Sequence, residues 1–233
     1  MRFYQESGFA AVGDRPPTAD GCLDWLVWHF TTWANLEQVA AAGRLLCDRA
    51  AKGAEPVGDA NIKQGRMNRL VALPAEAGYP PNVTVGDHVP FYFAPRSPML
   101  LKVLSRRAQY AGDHAGLVML GTVIRSVVES GGSWCVADRN AGSPLVQFSQ
   151  DLGNLGSFID FDLMKRYRWS NTPDDPDRQT RRAAEFLVLR EVPVTMVTQV
   201  VTSTSAGVSR ARQILQNVGG IRQYEVQPSF LYQ

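Results

Sequence analysis

The segment WLVWHFTTWANLEQVAAAG (residues 25–43) carries the clearest secondary-structure signals in the chain. Bulky side chains alternate through its first seven residues, which predicts a β-strand. One face of that strand would carry Trp25, Val27, His29 and Thr31. The other face would carry Leu26, Trp28 and Phe30. Thr32 is a favourable N-cap residue and Gly43 a favourable stop, so we expect a helix to follow the strand directly.

Outward from this segment, strands and helices alternate without the regular rhythm of a doubly wound sheet. Strands are predicted at Val89–Ala94, Leu117–Ile124, Trp134–Ala137, Phe186–Leu189, Met196–Thr202 and Gln223–Val226, and helices at Asn61–Leu70 and Ser209–Asn217. This mixture favours an α+β fold. Residues 47–86 are largely polar and interrupted by Gly and Pro, which is typical of a binding loop.

Length and composition indicate one globular domain. The chain has 233 residues, of which 45% are hydrophobic, and no break resembles a linker. We therefore expect a single domain over residues 1–233, with residues 1–22 as an N-terminal extension. No apolar run approaches the ~18 residues of a membrane span, and the start lacks the apolar core of a signal peptide. With three scattered cysteines, a cytoplasmic protein is expected.

Common catalytic and binding motifs are missing from the sequence. There is no G-x-G-x-x-G after a strand, no Walker P-loop, no H-E-x-x-H and no G-x-S-x-G. The three histidines are far apart, so we expect no metal site. Only four of the 24 basic residues are lysines. This arginine excess favours a phosphate-rich ligand or nucleic acid, although a high-GC genome would produce the same bias.

Four segments carry a specific resemblance. They are WHFTTWANLEQVAAAGRLL (28–46), NIKQGR (61–66), DHVPFYFAPRSPML (87–100) and RRAAEFLV (181–188). In this order they resemble the DarT family of DNA ADP-ribosyltransferase toxins, most of all its actinobacterial members. The resemblance implies an ADP-ribosyltransferase-type fold with a split central β-sheet flanked by helices. It also implies that NAD is consumed as a substrate, with no retained cofactor, and that ADP-ribose is transferred to thymidine in single-stranded DNA.

Glu185, in AEFLV, is the first predicted catalytic residue. Cleavage of the nicotinamide–ribose bond builds positive charge on the ribose, as in glycoside hydrolysis, and a carboxylate stabilises that charge. The resemblance assigns this role to Glu185. Without the resemblance, a solvated glutamate beside Arg181 and Arg182 would be the favoured interpretation.

Arg66, the last residue of NIKQGR, is the second predicted catalytic residue. In related enzymes the equivalent arginine is proposed to help remove the thymine N3 proton. Arginine is a poor base because its pKa exceeds ~12. Binding a phosphate or polarising the base is a more suitable role, with the proton lost to water or to Glu185. Gly65 departs from the pattern of many relatives, so Arg69 is kept as an alternative, as is a surface position for Arg66.

The resemblance also implies a set of NAD-contacting residues. They are His29, Phe30, Thr31, Gln38, Leu46, Arg66 and Tyr92. Within DHVPFYFAPRSPML, Phe91 and Phe93 are expected in the core. The prolines of this string, Pro90, Pro95 and Pro98, are expected to prevent a regular central strand.

A second set of residues is predicted to contact DNA: Asn140, Arg96, Arg166, Arg168, Trp169 and Arg181. Asn140 stands where some relatives have a histidine, which weakens a histidine-assisted proton transfer. The remaining residues lie mostly in the run 163–182, where arginines alternate with aromatic rings, a composition suited to single-stranded DNA. Three aspartates in the same run leave open a merely solvated loop.

The expected function is therefore thymidine modification by a toxin that blocks replication or acts in phage defence. A macrodomain antitoxin that resembles DarG is the implied partner, and no membrane association is expected. Three alternatives stay open at this point: a guanine-directed enzyme, a transferase acting on protein or RNA, and a catalytically silent module that binds single-stranded nucleic acid.

Overall fold

The computed structural model describes residues 19–233. In chain order their strands are β1 (Leu26–Thr32), β2 (Arg44–Leu46), β3 (His88–Tyr92), β4 (Leu117–Val123), β5 (Trp134–Ala137), β6 (Phe148–Ser149), β7 (Glu185–Leu189), β8 (Glu191–Pro193), β9 (Val197–Thr202) and β10 (Gln223–Val226). Eight of them form one sheet in the order β10-β9-β4-β1-β3-β7-β5-β6. In this sheet β9 and β10 are parallel, and all other neighbouring strands are antiparallel. Strands β2 and β8 form a separate small antiparallel sheet.

The α-helices connect the strands and cover the sheet. They are α1 (Trp33–Ala42), α2 (Ala60–Asn68), α3 (Pro98–Leu104), α4 (Ile124–Glu129), α5 (Leu155–Phe158), α6 (Phe161–Lys165), α7 (Arg178–Arg182) and α8 (Ser205–Ile214). Thr32 caps α1 by accepting a hydrogen bond from the Asn35 amide, and Gly43 ends it with φ of 70°. Both capping predictions and the α+β class are confirmed.

The sheet splits between β1 and β3. Their register consists of one pair, Trp28 opposite Tyr92, whereas β1 and β4 stay paired from Leu26 to Thr32. The expectation of a split central sheet is therefore confirmed. The expectation that prolines prevent a regular central strand was wrong for Pro90, which lies inside β3 and pairs with Leu187 of β7.

The position of Pro90 explains why the strand tolerates it. The Pro90 carbonyl lies 2.9 Å from Nδ1 of His29 in β1, so this carbonyl points away from β7. In a strand, the nitrogen and carbonyl of one residue point to the same side. The missing N–H of Pro90 therefore faces the split, where β1 has already diverged, and the β3–β7 ladder loses no hydrogen bond.

The two faces of the sheet are covered unequally. One face packs against the main core, which includes the expected Phe91 and Phe93 together with Val27, Phe186 and Val200. The other face carries two separate clusters, one built on Trp28 and Met119 and one built on Cys135 and Leu187. The partition of β1 side chains between faces follows the predicted alternation.

Other predicted elements are shifted at their ends, and some short ones were not anticipated. The predicted helix Ser209–Asn217 begins earlier, at Ser205, because Thr204 provides the N-cap. The small β2–β8 sheet and the short helices α3 to α7 had no periodic signal long enough to identify them. Of the predicted extension, residues 1–18 lie outside the described residues, and residues 19–24 form a 3-10 helix.

A buried polar network fixes the start of β3. Nδ1 of His88 lies 2.8 Å from the Thr84 carbonyl, and Nε2 lies 2.7 Å from the Tyr79 hydroxyl. Because a carbonyl only accepts, Nδ1 carries the proton and Nε2 accepts from Tyr79. Burial lowers the pKa of His88 to about 4, so the ring stays neutral in the folded protein at pH 7.

Gly121→Ala is expected to destabilise the fold. A Cβ at this position in β4 would lie 2.9 Å from the ring of Trp28, which is fully buried. Overpacking of this kind costs about 1–3 kcal/mol. Urea unfolding measures the loss, and Gly219→Ala is the control because a Cβ there meets nothing within 4 Å. Equal stabilities of the two variants would contradict the expected clash.

His88→Gln is expected to flatten the dependence of stability on pH. The unfolded chain binds a proton on this ring below pH ~6.5, whereas the folded protein does so only near pH 4. The wild type should therefore lose about 3 kcal/mol more stability than the variant as the pH falls from 6.5 to 4. Denaturation at several pH values measures this difference, and parallel pH profiles would show that His88 is not held neutral.

Candidate active site

A cavity of about 340 Å³ opens where β1 and β3 diverge, a volume typical of a small-molecule site. Its floor includes Pro90 and Tyr92 of β3 and its walls come from β1, α1, α2 and the loop between β2 and α2. Asn35 of α1 holds that loop, since its side chain both donates to and accepts from the Glu55 backbone. The polar stretch predicted as a binding loop thus lines the cavity through residues between Asp48 and Asp59.

Glu185 and Arg66 form a buried ion pair beside this cavity. The Glu185 side chain is fully buried, and its Oε2 accepts a hydrogen bond of 2.7 Å from Nη1 of Arg66. Its Oε1 accepts from the Ala141 amide at 3.0 Å. Arg66 and Tyr92, which stands opposite Glu185 in the β3–β7 register, both line the cavity. The carboxylate is therefore held from two sides directly behind the cavity wall.

Helix α2 positions Arg66, and both ends of the helix are fixed. Asp59 caps its first turn by accepting from the Asn61 and Ile62 amides, and also pairs with Lys102. At the other end, Nη2 of Arg49 donates to the Met67 carbonyl at 3.0 Å while Nε of Arg49 binds Asp87. Asp87, the first residue of DHVPFYFAPRSPML, thus helps to hold this helix.

The electrostatic environment keeps Arg66 protonated. Burial disfavours its charge, but the charges of Glu185 and Asp48 outweigh burial, so the pKa of Arg66 is raised above its ordinary value. Asp48 lies 3.6 Å from Nε of Arg66. Within residues 19–233, the buried Nη2 of Arg66 has no hydrogen-bond partner. A cation with one unused donor at a cavity wall suits an anionic ligand better than it suits base catalysis.

His29 and Tyr92 are neutral groups on the two strands that diverge. Burial lowers the pKa of His29, and its Nδ1 hydrogen-bonds the Pro90 carbonyl, which leaves Nε2 as an acceptor. Burial, and then the Glu185 charge, raise the pKa of Tyr92 far above its ordinary value, so its hydroxyl stays a donor. Phe30 stacks on Tyr92 with ring centroids 5.8 Å apart.

All seven residues predicted to contact NAD line this one cavity. They come from β1 (His29, Phe30, Thr31), α1 (Gln38), β2 (Leu46), α2 (Arg66) and β3 (Tyr92). Arg69, the alternative to Arg66, is the C-cap of α2 and is not part of the lining. Their role in binding stays a prediction, but the structure brings them together from five separate elements.

Asn140 lies close to the ion pair through the backbone of its own loop. Its Oδ1 accepts from the Gly142 amide at 3.0 Å, and a Cβ on Gly142 would lie 3.4 Å from Cγ of Arg66. The next residue, Ala141, supplies the amide that binds Glu185. The loop after β5 therefore packs against both charged residues.

The other predicted DNA-binding residues lie away from the cavity, and their exposure differs. Arg166 and Arg168 are exposed, but the Trp169 ring is buried and has only 6% of its surface accessible. Arg181 is held by the carboxylates of Asp160 and Asp175. We therefore do not retain Trp169 and Arg181 in the DNA surface proposed below.

Sequence reasoning missed Asp48, Met99 and the Ala141 amide. Asp48 pairs with Arg66 and with Lys63 at 3.1 Å, and Met99 lines the cavity from α3. Asp48 is one acidic residue in a long polar stretch, so nothing in the sequence distinguished it. The backbone amide of Ala141 has no sequence signature. In the described residues no group of histidine, cysteine or carboxylate side chains is arranged to hold a metal ion. No helix among them is long and apolar enough to cross a membrane.

Glu185→Gln is expected to destabilise the protein by about 3 kcal/mol, because it leaves Arg66 buried with only the more distant Asp48. The double variant Arg66→Met/Glu185→Gln should cost less than the sum of the single changes, since it removes both charges. Urea unfolding of the four proteins measures this coupling. A matched cycle on the exposed Arg44–Glu191 pair should give less than about 1 kcal/mol. If the losses in unfolding free energy at Arg66 and Glu185 were additive, the two residues would not form an interacting pair.

Known proteins resemble this chain in sequence and in fold. A family model described as "ssDNA thymidine ADP-ribosyltransferase, DarT" matches residues 28–232. The DNA ADP-ribosyl transferase of Mycobacterium tuberculosis is 40% identical over 231 residues, which cover 99% of each chain.

Two solved structures of a Thermus protein share the fold. The structure of Thermus sp. 2.9 DarT in complex with ADP-ribosylated ssDNA superimposes with a TM-score of 0.78 at 22% identity, covering 88% of this chain and 95% of that one. The complex of the same protein with NAD+ has a TM-score of 0.73 at 21% identity, covering 88% and 96%. The expected ADP-ribosyltransferase-type fold is thus confirmed, and the chain belongs to the DarT family of NAD-dependent DNA ADP-ribosyltransferases.

Proposed function

We propose that this protein cleaves NAD and transfers its ADP-ribose to a thymine base in single-stranded DNA. The observation that carries the proposal is the Glu185 carboxylate, fully buried and held by Arg66 and the Ala141 amide behind the cavity at the sheet split. A fixed carboxylate in a dry site stabilises a developing cation far better than one in water.

NAD binding is proposed in the cavity lined by His29, Thr31 and Tyr92. The neutral His29 offers an acceptor, and the Thr31 and Tyr92 hydroxyls offer donors. Phe30, Gln38 and Leu46 extend the lining towards α1 and β2. The unused Nη2 donor of Arg66 is suited to an oxygen of the nucleotide.

The reaction breaks the bond between ribose C1′ and the nicotinamide nitrogen. Nicotinamide leaves with the bonding electron pair, and positive charge builds on the ribose opposite Glu185. Thymine N3 then forms a bond to C1′ and loses its proton. The raised pKa of Arg66 favours a role in which this cation polarises the base or binds an oxygen, with the proton passing to water or to Glu185.

The acceptor base is proposed to enter beside Asn140. This residue lies in the loop that contacts both Arg66 and Glu185, and its side-chain amide can hydrogen-bond a base edge. Arg96, Arg166 and Arg168 are proposed to contact the DNA strand outside the cavity. A guanine acceptor would use the same NAD chemistry and differ only in the pocket around Asn140.

The biological role is proposed by family resemblance. We infer a cytoplasmic toxin of a toxin–antitoxin system that blocks DNA replication or acts in phage defence. A macrodomain that removes ADP-ribose from DNA would be its antitoxin. We also propose that residues 1–233 act as one catalytic domain.

Incubation with NAD and short single-stranded oligonucleotides tests the proposed reaction directly. Each oligonucleotide contains one candidate base in an otherwise inert sequence, and mass spectrometry detects the gain of one ADP-ribose. We expect the gain on thymine with the wild type and at least a 100-fold lower rate with Glu185→Gln, which keeps the shape but removes the charge. Released nicotinamide should equal the adduct formed.

Glu129→Gln is the matched control, since Glu129 is exposed and its ion pair is with Arg125 one helical turn away. This variant should react like the wild type. Modification of guanine alone would replace the thymidine assignment. Modification of RNA or protein in preference to DNA would overturn the DNA substrate, and binding of DNA without nicotinamide release would identify a silent binding module.

A further inference from the structure

A stack of three planar side chains lies on the surface outside the cavity. The Arg96 guanidinium is centred 4.1 Å from the Tyr232 ring and 3.9 Å from the Tyr167 ring. Arg96 thus contacts both rings. Tyr232 is tied to the protein through its hydroxyl, which donates to the Ser97 carbonyl. The stack is anchored at its inner end.

Tyr167 forms the outer layer of this stack and is 60% exposed. One face of its ring is covered by Arg96, which leaves the opposite face as the next position in the stack. An aromatic ring held in this way offers a flat surface that costs little entropy to occupy.

Arg166 and Arg168 flank Tyr167 in the chain, and both are exposed. In the part of the chain that the structure describes, neither forms an ion pair with a carboxylate. Their neighbour Lys165, by contrast, pairs with Asp162. Two uncompensated cations beside one exposed ring match the alternation of phosphates and bases along a single strand.

The segment beneath the stack is held by a buried arginine. Arg182 is 2% exposed and donates to the carbonyls of Leu163, Met164 and Arg166 through Nη1, and through Nε to the Arg96 carbonyl. It thereby fixes the backbone on both sides of the stack. In the described residues its side chain meets carbonyl oxygens and no carboxylate, so the positive charge of this region is not cancelled from below.

Two residues next to the stack connect it to the proposed active site. Arg182 is three residues before Glu185, a distance of at most about 11 Å. Met99, three residues after Arg96, lines the cavity.

We propose that the exposed face of Tyr167, backed by Arg96 and flanked by Arg166 and Arg168, binds a nucleobase of the single strand outside the pocket of the modified base. This inference rests on the proposed function for its substrate. The site reads no base edge, so it accepts any of the four bases. It supplies affinity and fixes the position of the strand, and leaves base selection to the pocket at Asn140.

The test measures binding of a fluorescein-labelled, thymine-containing oligonucleotide by anisotropy, without NAD. Tyr167→Ala should weaken binding roughly ten-fold, the size of one lost base–aromatic stack, while Tyr167→Phe should bind within two-fold of the wild type. Arg212→Ala is the matched control, because Arg212 packs over Tyr224 in the same way at the far edge of the sheet. It should bind like the wild type.

Abasic substitution along the oligonucleotide locates the contact. One abasic position near the thymine should weaken binding to the wild type and leave binding to Tyr167→Ala unchanged. In turnover assays, the Tyr167→Ala defect should fall on the KM for DNA more than on kcat. A wild-type affinity for Tyr167→Ala, or equal abasic penalties in both proteins, would overturn the proposal.

The binding and transfer assays distinguish an error in the proposed reaction from an error in the proposed stacking site. If the wild type binds the oligonucleotide and Tyr167→Ala does not, but no ADP-ribose is transferred, the stacking site stands and the reaction is wrong. If transfer occurs and the KM for DNA is the same in both proteins, the reaction stands and the stacking site is wrong. Tighter binding of an RNA strand than of DNA would overturn DNA as the occupant.

Discussion

The buried pair of Arg66 and Glu185 is the interaction on which the rest of the site depends. A fully buried carboxylate is costly unless a cation and hydrogen bonds compensate it. Here the cation comes from α2 and the second hydrogen bond from Ala141, in the loop after β5. Three segments far apart in sequence must therefore meet behind the cavity. The Arg49–Asp87 pair holds the end of α2 and so helps to keep Arg66 beside Glu185.

The split between β1 and β3 creates the space that this pair faces. Continuous pairing of the two strands would place β1 backbone where the cavity now opens. The divergence leaves the backbone groups of β3 in need of partners, and two features meet that need: the His29 ring binds the Pro90 carbonyl, and Pro90 itself has no N–H. A proline in a central strand is thus a means of ending pairing on one side while keeping the β7 ladder intact.

Local signals predicted the local structure well, and long-range contacts decided what they missed. Thr32 and Gly43 act within one helix, so their capping roles could be read from the sequence. The burial of Trp169 and the pairing of Arg181 with Asp160 depend on segments that only the fold brings together, which composition does not encode. Glu185 was identified through family resemblance; its neighbours alone indicated a solvated residue.

Two buried arginines bear on the binding of the proposed polyanionic substrates. Arg66 keeps one donor unused at the cavity, and Arg182 holds its charge against carbonyl oxygens, where burial lowers its pKa to about 10. The unused Nη2 donor of Arg66 and the buried charge of Arg182 each cost stability in the free protein, because a buried polar group without full compensation is unfavourable. Phosphate groups of a nucleotide and of a DNA strand would compensate this positive potential. The cations are therefore already in place in the folded protein. They need not reorganise when the substrates bind, which lowers the free-energy cost of binding.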